Sequence, residues 1–478
     1  MSKFNESTKQ NLRTYEGGKG YKKDPAQDWL NFLFSSYMED GFYESSQQQM
    51  SRFIDLTNQV GNAYGPEFVA KAAKFARNEL GMRSVTHIVG AMVNSQKFEG
   101  KRKAIRDMFY RPDDVAETFA VIDKFGQKRS HAMVNGARDY LSGLDEYQIG
   151  KYKLNNKNYN MFDLINITHA NSAAIDKYKR GTLENPDTWE VAISTASPEE
   201  KSNEWIRLVE EGKLGYLALI RNLRNIISAV NDFDDYIFGA NWIHKYLVPQ
   251  LTNNQKILKS KVFPYQIYCA YKNMGTTNAE VVEALDKAFS ISCCNVPPIE
   301  GKSAVLLDVS GSMEDTISFK SNITIKEVGA CYAAVLYIAQ DADFVKFGNN
   351  AFRKEFSKFD TVFTIIEKMC DNENCGYGTD IVPAMEQLRG THYDRIFIIS
   401  DMQVMTNCYY TRGNPEQAYR KYCDGAEIYS FDLGNYSTQC FPVNDKFHYS
   451  TTLNDKVFEF IPFLENGNTL VDYINNHY

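Results

Sequence analysis

An apolar run, Ala304 to Leu307, stops at Asp308-Val-Ser310-Gly-Ser312, and this junction constrains the fold more than any other stretch. A short unbroken apolar run predicts a buried strand. The loop that leaves its carboxyl end then carries one carboxylate and two hydroxyls at alternating positions, able to aim three oxygens at one point. Hard oxygens with a single formal charge suit Mg²⁺, which keeps several of its waters. The plain alternative is a Ser-rich turn that caps the following helix.

The rest of the chain divides into two textures. Residues 1–27 are polar and include Gly17-Gly18-Lys19-Gly20-Tyr21, which predicts an arm or loop. From 28 to 296 helical periodicity dominates. In 65–79, Phe68, Ala72, Phe75 and Ala76 share one face, and 215–231 reads as a further helix. Helices in series without heptads predict stacked helix pairs. Pro297-Pro298 marks the boundary. Residues 299–478 alternate, with strands predicted near 303–308, 343–347, 395–400 and 427–432, and helices near 325–340, 380–389 and 455–463. This order implies βαβ crossovers and a largely parallel sheet. Such sheets bind ligands at the carboxyl ends of their strands.

Charge follows the same division. Residues 301–478 hold 15 Lys+Arg and 24 Asp+Glu, and residues 1–300 hold the other 38 and 36. The acidic half is the half with the oxygen-rich loop. No apolar stretch approaches a membrane span. The N-terminus has no apolar secretory segment, and the nine cysteines include no C-x-x-C. A cytoplasmic protein with free thiols is the expectation. No P-loop, G-x-S-x-G or H-E-x-x-H occurs, and of the seven scattered histidines His392 comes nearest to Asp401 in sequence. The chain is not expected to be an enzyme.

The Asp308-x-Ser310-x-Ser312 loop resembles the metal-ion-dependent adhesion site (MIDAS) of von Willebrand factor A (vWA) domains. The resemblance implies a Thr from a second loop and an Asp from a third. Gly376-Tyr-Gly-Thr379-Asp380 supplies Thr379, and Arg395-Ile-Phe-Ile-Ile-Ser400-Asp401 supplies Asp401, in the expected order. Whether such an ion pins loops or binds a partner stays open at this level. A helical half before a vWA half is similar to the Ro ribonucleoprotein (TROVE) family. Glu16-Gly-Gly-Lys-Gly-Tyr21, Leu33-Phe34, Gly41-Phe42-Tyr43 and Asp163-Leu-Ile-Asn-Ile-Thr-His169 resemble that family's segments, although a Gly and a Thr of the third and the Lys-Pro after the last are missing. The resemblance implies a multidomain α and α/β protein: a ring of HEAT-like helical repeats closed by a doubly wound, Rossmann-like vWA domain. It also implies a monomer that binds Y-like small noncoding RNA on its outer face and single-stranded RNA ends in its hole. Quality control, with an exoribonuclease or another protein at the vWA face, would be its role.

Basic clusters give this an electrostatic basis. Lys128, Arg129 and His131 form one, and Lys151, Lys153 and Lys157 another, with Tyr152 and Tyr159 interleaved for stacking on unpaired bases. Each cluster reads equally as a solvated helix face. His169 reads either as an RNA contact, as the resemblance implies, or as a helix-end or core histidine. The reading is thus an RNA-binding scaffold with Mg²⁺, against a Mg²⁺-dependent protein adaptor without RNA.

Overall fold

The computed structural model describes residues 12–36, 38–152, 154, 158–184, 188–232, 236–274, 278–318, 321–405, 413–442, 444, 446–449 and 456–478. From Pro25 to Ser292 the described backbone is helices joined by short turns. Local chemistry starts them. Ser45, Asp145 and Asn160 each build a capping box, and Pro66 opens its helix where a missing N–H costs little. Helices Pro66–Asn78, Lys101–Met108, His131–Ser142 and Met161–Thr168 touch in succession, and helices Ser84–Ser95 and Pro112–Lys124 pack together beside them. Gly136 permits one close approach, since a Cβ there would lie 2.8 Å from the carbonyl oxygen of Arg102.

Residues 215–231 form two helices, Tyr216–Arg221 and Leu223–Asn231, where the sequence predicts one. Asn222 leaves helical geometry at φ −107°, and its side-chain amide donates to the carbonyl of Ala218 at 2.9 Å. A short amide that hydrogen-bonds the backbone competes with the helix ladder.

Apart from β1 (Tyr21–Lys22), the described strands lie in the second half: β2 (Ser303–Asp308), β3 (Asp343–Phe347), β4 (Ala351–Lys354), β5 (Arg395–Ser400), β6 (Glu427–Asp432), β7 (Thr438–Gln439) and β8 (Phe447–Tyr449). Six of them form one sheet in the order β4-β3-β2-β5-β6-β8, parallel except for β4. Alternate residues serve two cores. Val305, Leu307, Phe397, Ile399 and Phe431 pack with helices Ile325–Gln340 and Val457–Glu465. Ala304, Leu306, Ile396, Ile398 and Ile428 pack with helices Val382–Glu386 and Pro415–Tyr422. Burial on both faces is why these strands read as continuous apolar runs.

Both ends of the helical series dock on the sheet half. Helix Pro264–Asn273 meets helix Ile325–Gln340, with the Tyr271 and Phe363 rings stacked 4.1 Å apart. At the other end, Phe34 and Phe75 pack against Phe460, and Tyr473 meets Phe75 edge-on. The described part of the N-terminal segment lies on the sheet half, where β1 pairs antiparallel with β7. The eight described cysteines are free, and among the described residues no helix is long and apolar enough to cross a membrane.

Candidate metal centre and nucleic-acid interface

β2 and β5 are hydrogen-bonded neighbours in the middle of the sheet, so Asp308 and Asp401 leave the same sheet edge side by side. Backbone bonds then tie three loops together. Gly311 N–H donates to the carbonyl of Tyr377 at 2.9 Å, Met405 N–H to that of Thr379 at 2.8 Å, and Val309 N–H to that of Phe347 at 2.8 Å. Asp308, Ser310, Ser312, Thr379 and Asp401 are all buried. The Ser310 and Ser312 hydroxyl oxygens stand 3.4 Å apart. Asp308 accepts from Ser310 N–H at 2.9 Å and from the Ser400 hydroxyl at 2.5 Å. Asp308, Ser310, Ser312 and Asp401 thus share one sheet edge, and backbone bonds from Gly311 to Tyr377 and from Met405 to Thr379 tie the Thr379 loop to it.

The electrostatics of the cluster ask for a cation. Burial pushes Asp401 up, the adjacent Asp308 carboxylate pushes it further, and the Ser312 hydroxyl opposes. Burial raises Asp308 as well. Asp401 Oδ2 is buried without a hydrogen-bond partner. The next acid along the sheet edge, Asp432, is neutralised by the buried Lys23, and among the described residues no such ion pair reaches Asp308 or Asp401. Two buried carboxylates without a counter-charge are costly, and a divalent ion is the economical remedy. The donors are all oxygens, and among the described residues no group of three or more His, Cys, Asp or Glu forms a metal cluster. This set fits a hard ion held by two carboxylates, hydroxyls and water. Asp380 is also buried, and desolvation raises it to about 6, but its carboxylate accepts from Val382 N–H at 3.0 Å.

The nucleic-acid candidates are dispersed. Lys128 and His131 are exposed. Arg129 is engaged: it donates to Asp123 at 2.6 Å and to the Tyr159 hydroxyl, and lies over the Phe119 and Tyr159 rings. Lys151 pairs with Glu190 at 2.8 Å. Lys153 and Lys157 lie outside the described residues. His169 is exposed and ends helix Met161–Thr168 in the left-handed conformation, φ 57°, so it is not a core histidine. Tyr159 sits beside Arg129 at one end of helix His131–Ser142, and Asn171 N–H reaches Ser142 Oγ at 3.1 Å at the other. A helix of that length puts His131 and His169 roughly 17 Å apart, too far for one nucleotide.

The fold exposes a second set around His169. Phe162 and Asn166 are exposed at helical spacing i and i+4, hence on one face, and the exposed His169 caps the end of the same helix. Phe162 packs 4.7 Å from Tyr178. Tyr178 belongs to helix Ala173–Arg180, whose last turn carries Lys177, Lys179 and Arg180. Sequence reasoning singled out His169 but missed Phe162, Asn166, Tyr178, Lys179 and Arg180; the exposed i, i+4 pair on an otherwise buried helix was the available signal.

The TROVE domain matches residues 168–281. Telomerase protein component 1 of Rattus norvegicus is 27% identical over 104 residues, and that of Mus musculus 28% over 104 residues. These matches cover 22% of this chain and 4% of each relative, so the chain spans a small fraction of their length. The crystal structure of the Deinococcus radiodurans Ro (RSR) protein matches with a TM-score of 0.63 at 15% identity, over 93% of this chain and 100% of that one. At that identity the likeness is one of fold.

Proposed function

We propose that this chain, with a TROVE-matching segment and the fold of a Ro protein, is a non-enzymatic RNA-binding scaffold. The helical series acts as a HEAT-like ring, closed by a vWA-type domain on which both of its ends dock. Small structured, Y-like RNA binds the helical half, and single-stranded ends of misfolded RNA enter the ring for quality control. The observation that carries this reading is the exposed Phe162–Asn166 face, capped by His169, with Tyr178, Lys179 and Arg180 beside it. Aromatic rings stack on unpaired bases, an amide and an imidazole can hydrogen-bond base edges, and the cations hold phosphates.

Mg²⁺ at Asp308, Ser310, Ser312, Thr379 and Asp401 supplies the missing counter-charge and fixes the three loops relative to one another. A monomer in the cytoplasm, with an exoribonuclease or another protein as partner, completes the proposal. A Mg²⁺-dependent adaptor without RNA is the second reading; Tyr377, 71% exposed two residues before Thr379, favours it.

The test is RNA binding by the full chain, measured by fluorescence anisotropy with a small stem-loop RNA carrying a single-stranded tail. Phe162→Ala and His169→Ala should each weaken binding about 5- to 20-fold, the range of a lost stacking contact of ~1–2 kcal/mol. Unchanged affinity in both variants would remove this face from the RNA path. Absence of RNA binding by the parent protein, with Mg²⁺-dependent capture of a polypeptide, would select the adaptor.

A further inference from the structure

We infer that Glu16 stands on the water side of the metal centre and completes it in cis, so that the ion holds the chain's own N-terminal segment in place. The inference rests on the Mg²⁺ reading of the centre.

The N-terminal segment is strapped to the loop that carries Asp401. Thr14 Oγ1 donates to the carbonyl of Val404 at 2.7 Å, and Tyr15 N–H to Gln403 Oε1 at 2.9 Å. Gly18 lies flush on that loop; a Cβ there would meet the Val404 carbonyl oxygen at 2.1 Å. Tyrosines bridge the strap to the centre. Tyr15 stacks on Tyr43 at 4.9 Å, and Tyr43 meets Tyr436 edge-on at 5.1 Å. Tyr436 in turn packs beside Gly434, whose Cβ position lies 2.7 Å from Asp401 Cβ.

The Tyr43 hydroxyl donates to Glu16 Oε1 at 2.5 Å, and the Tyr43 backbone N–H donates to the Tyr436 hydroxyl at 3.3 Å. The strap and the tyrosines therefore bring a third carboxylate to the side of the sheet where two are buried, of which Asp401 Oδ2 has no partner. Without an ion this arrangement repels itself; with a divalent ion it attracts. Glu16 is exposed, and among the described residues no three acidic, His or Cys side chains converge closely enough to share an ion directly. Glu16 therefore acts through waters that Mg²⁺ retains, accepting their hydrogen bonds while Tyr43 positions it. By reciprocity, Mg²⁺ tightens the strap as much as the strap tightens Mg²⁺.

The experiment combines Mg²⁺ titration calorimetry with hydrogen exchange of the full chain, with and without Mg²⁺. In the parent protein Mg²⁺ should slow amide exchange in residues 13–18 several-fold. Glu16→Gln should bind Mg²⁺ several-fold more weakly and lose that slowing, and Tyr43→Phe should shift both in the same direction by less. If Glu16→Gln keeps parental affinity and protection while Asp308→Ala loses Mg²⁺, the centre stands and the role of Glu16 is overturned. If Asp308→Ala binds Mg²⁺ like the parent, the centre and the inference fall together. Where Asp308→Ala does not fold, Ser312→Ala takes its place.

Discussion

Asp114 joins three helices through one carboxylate. It accepts from Arg77 Nε at 2.9 and 3.0 Å, from His87 Nε2 at 3.0 Å, and from the N–H groups of Tyr110 and Arg111 at 3.1 and 2.9 Å. Burial opposes its ionisation, yet the imidazole and the guanidinium outweigh burial and hold it at about 2, against an ordinary 3.8. The folded value lies below the unfolded one. The stabilisation is therefore complete above about pH 4 and is lost as the pH falls toward 2. A shift of this size contributes about 2 kcal/mol. Asp114→Asn should cost about 2–4 kcal/mol at pH 6, since Arg77 is left buried with a weaker partner. Urea titrations at pH 6 and pH 3 should show the gap between parent and variant shrink by roughly 1 kcal/mol. An equal gap at both pH values would show that Asp114 is not held low. Single residues were legible where a motif fixes their spacing: Asp308, Ser310 and Ser312 sit within five positions. The place inferred for Glu16 was not, because only Tyr43 and the Gln403–Val404 loop bring it toward the sheet edge, with no local pattern to announce it.

At the scale of elements, apolar runs were reliable and exposed edges were not. β2, β3, β5 and β6 lie where the sequence predicts them: β2 and β5 are near-continuous apolar runs covered by helices on both faces, and β3 and β6 are apolar apart from the buried Lys346, Ser430 and their ends. β4 escaped notice because it is the sheet edge, where Phe352, Arg353 and Lys354 face solvent. β1 and β7 are two residues each and exist only as a pair. The basic clusters looked freer in sequence than in the fold, since acids pair with members of both: Asp123 binds Arg129 and Glu190 binds Lys151. Helix contacts also hide from periodicity where glycine makes them. A Cβ on Gly136 would lie 2.8 Å from Arg102 O and 2.9 Å from the Ile105 side chain. The carbonyl belongs to a helix backbone and cannot turn away. Gly136→Ala should therefore push helices Lys101–Met108 and His131–Ser142 apart and cost about 1–3 kcal/mol, even though Ala favours a helix by roughly 1 kcal/mol over Gly. Thermal unfolding of the variant measures it; a rise in melting temperature would mean that the helices separate without cost.

Across the whole molecule, charge and closure act together. Residues 301–478 carry nine more acids than bases and hold the candidate metal centre, so their net charge opposes phosphate. The helical half is nearly balanced, and its exposed cations Lys179 and Arg180 end the helix whose Tyr178 packs on Phe162. RNA should consequently follow a narrow path over the helical half rather than coat the protein, with few phosphates neutralised and a shallow salt dependence. This separates two contributions that a single affinity merges. Replacing Lys179 and Arg180 together by Ala should reduce the slope of log K against log salt by about 1–2, near 0.7 per single-stranded phosphate. Phe162→Ala should lower affinity at every salt concentration and leave the slope unchanged, because stacking releases no counterions. Titrations at three salt concentrations distinguish these outcomes. Parallel lines for the double cation variant would move the phosphates off this helix; a changed slope for Phe162→Ala would mean that the ring positions a phosphate contact rather than a base.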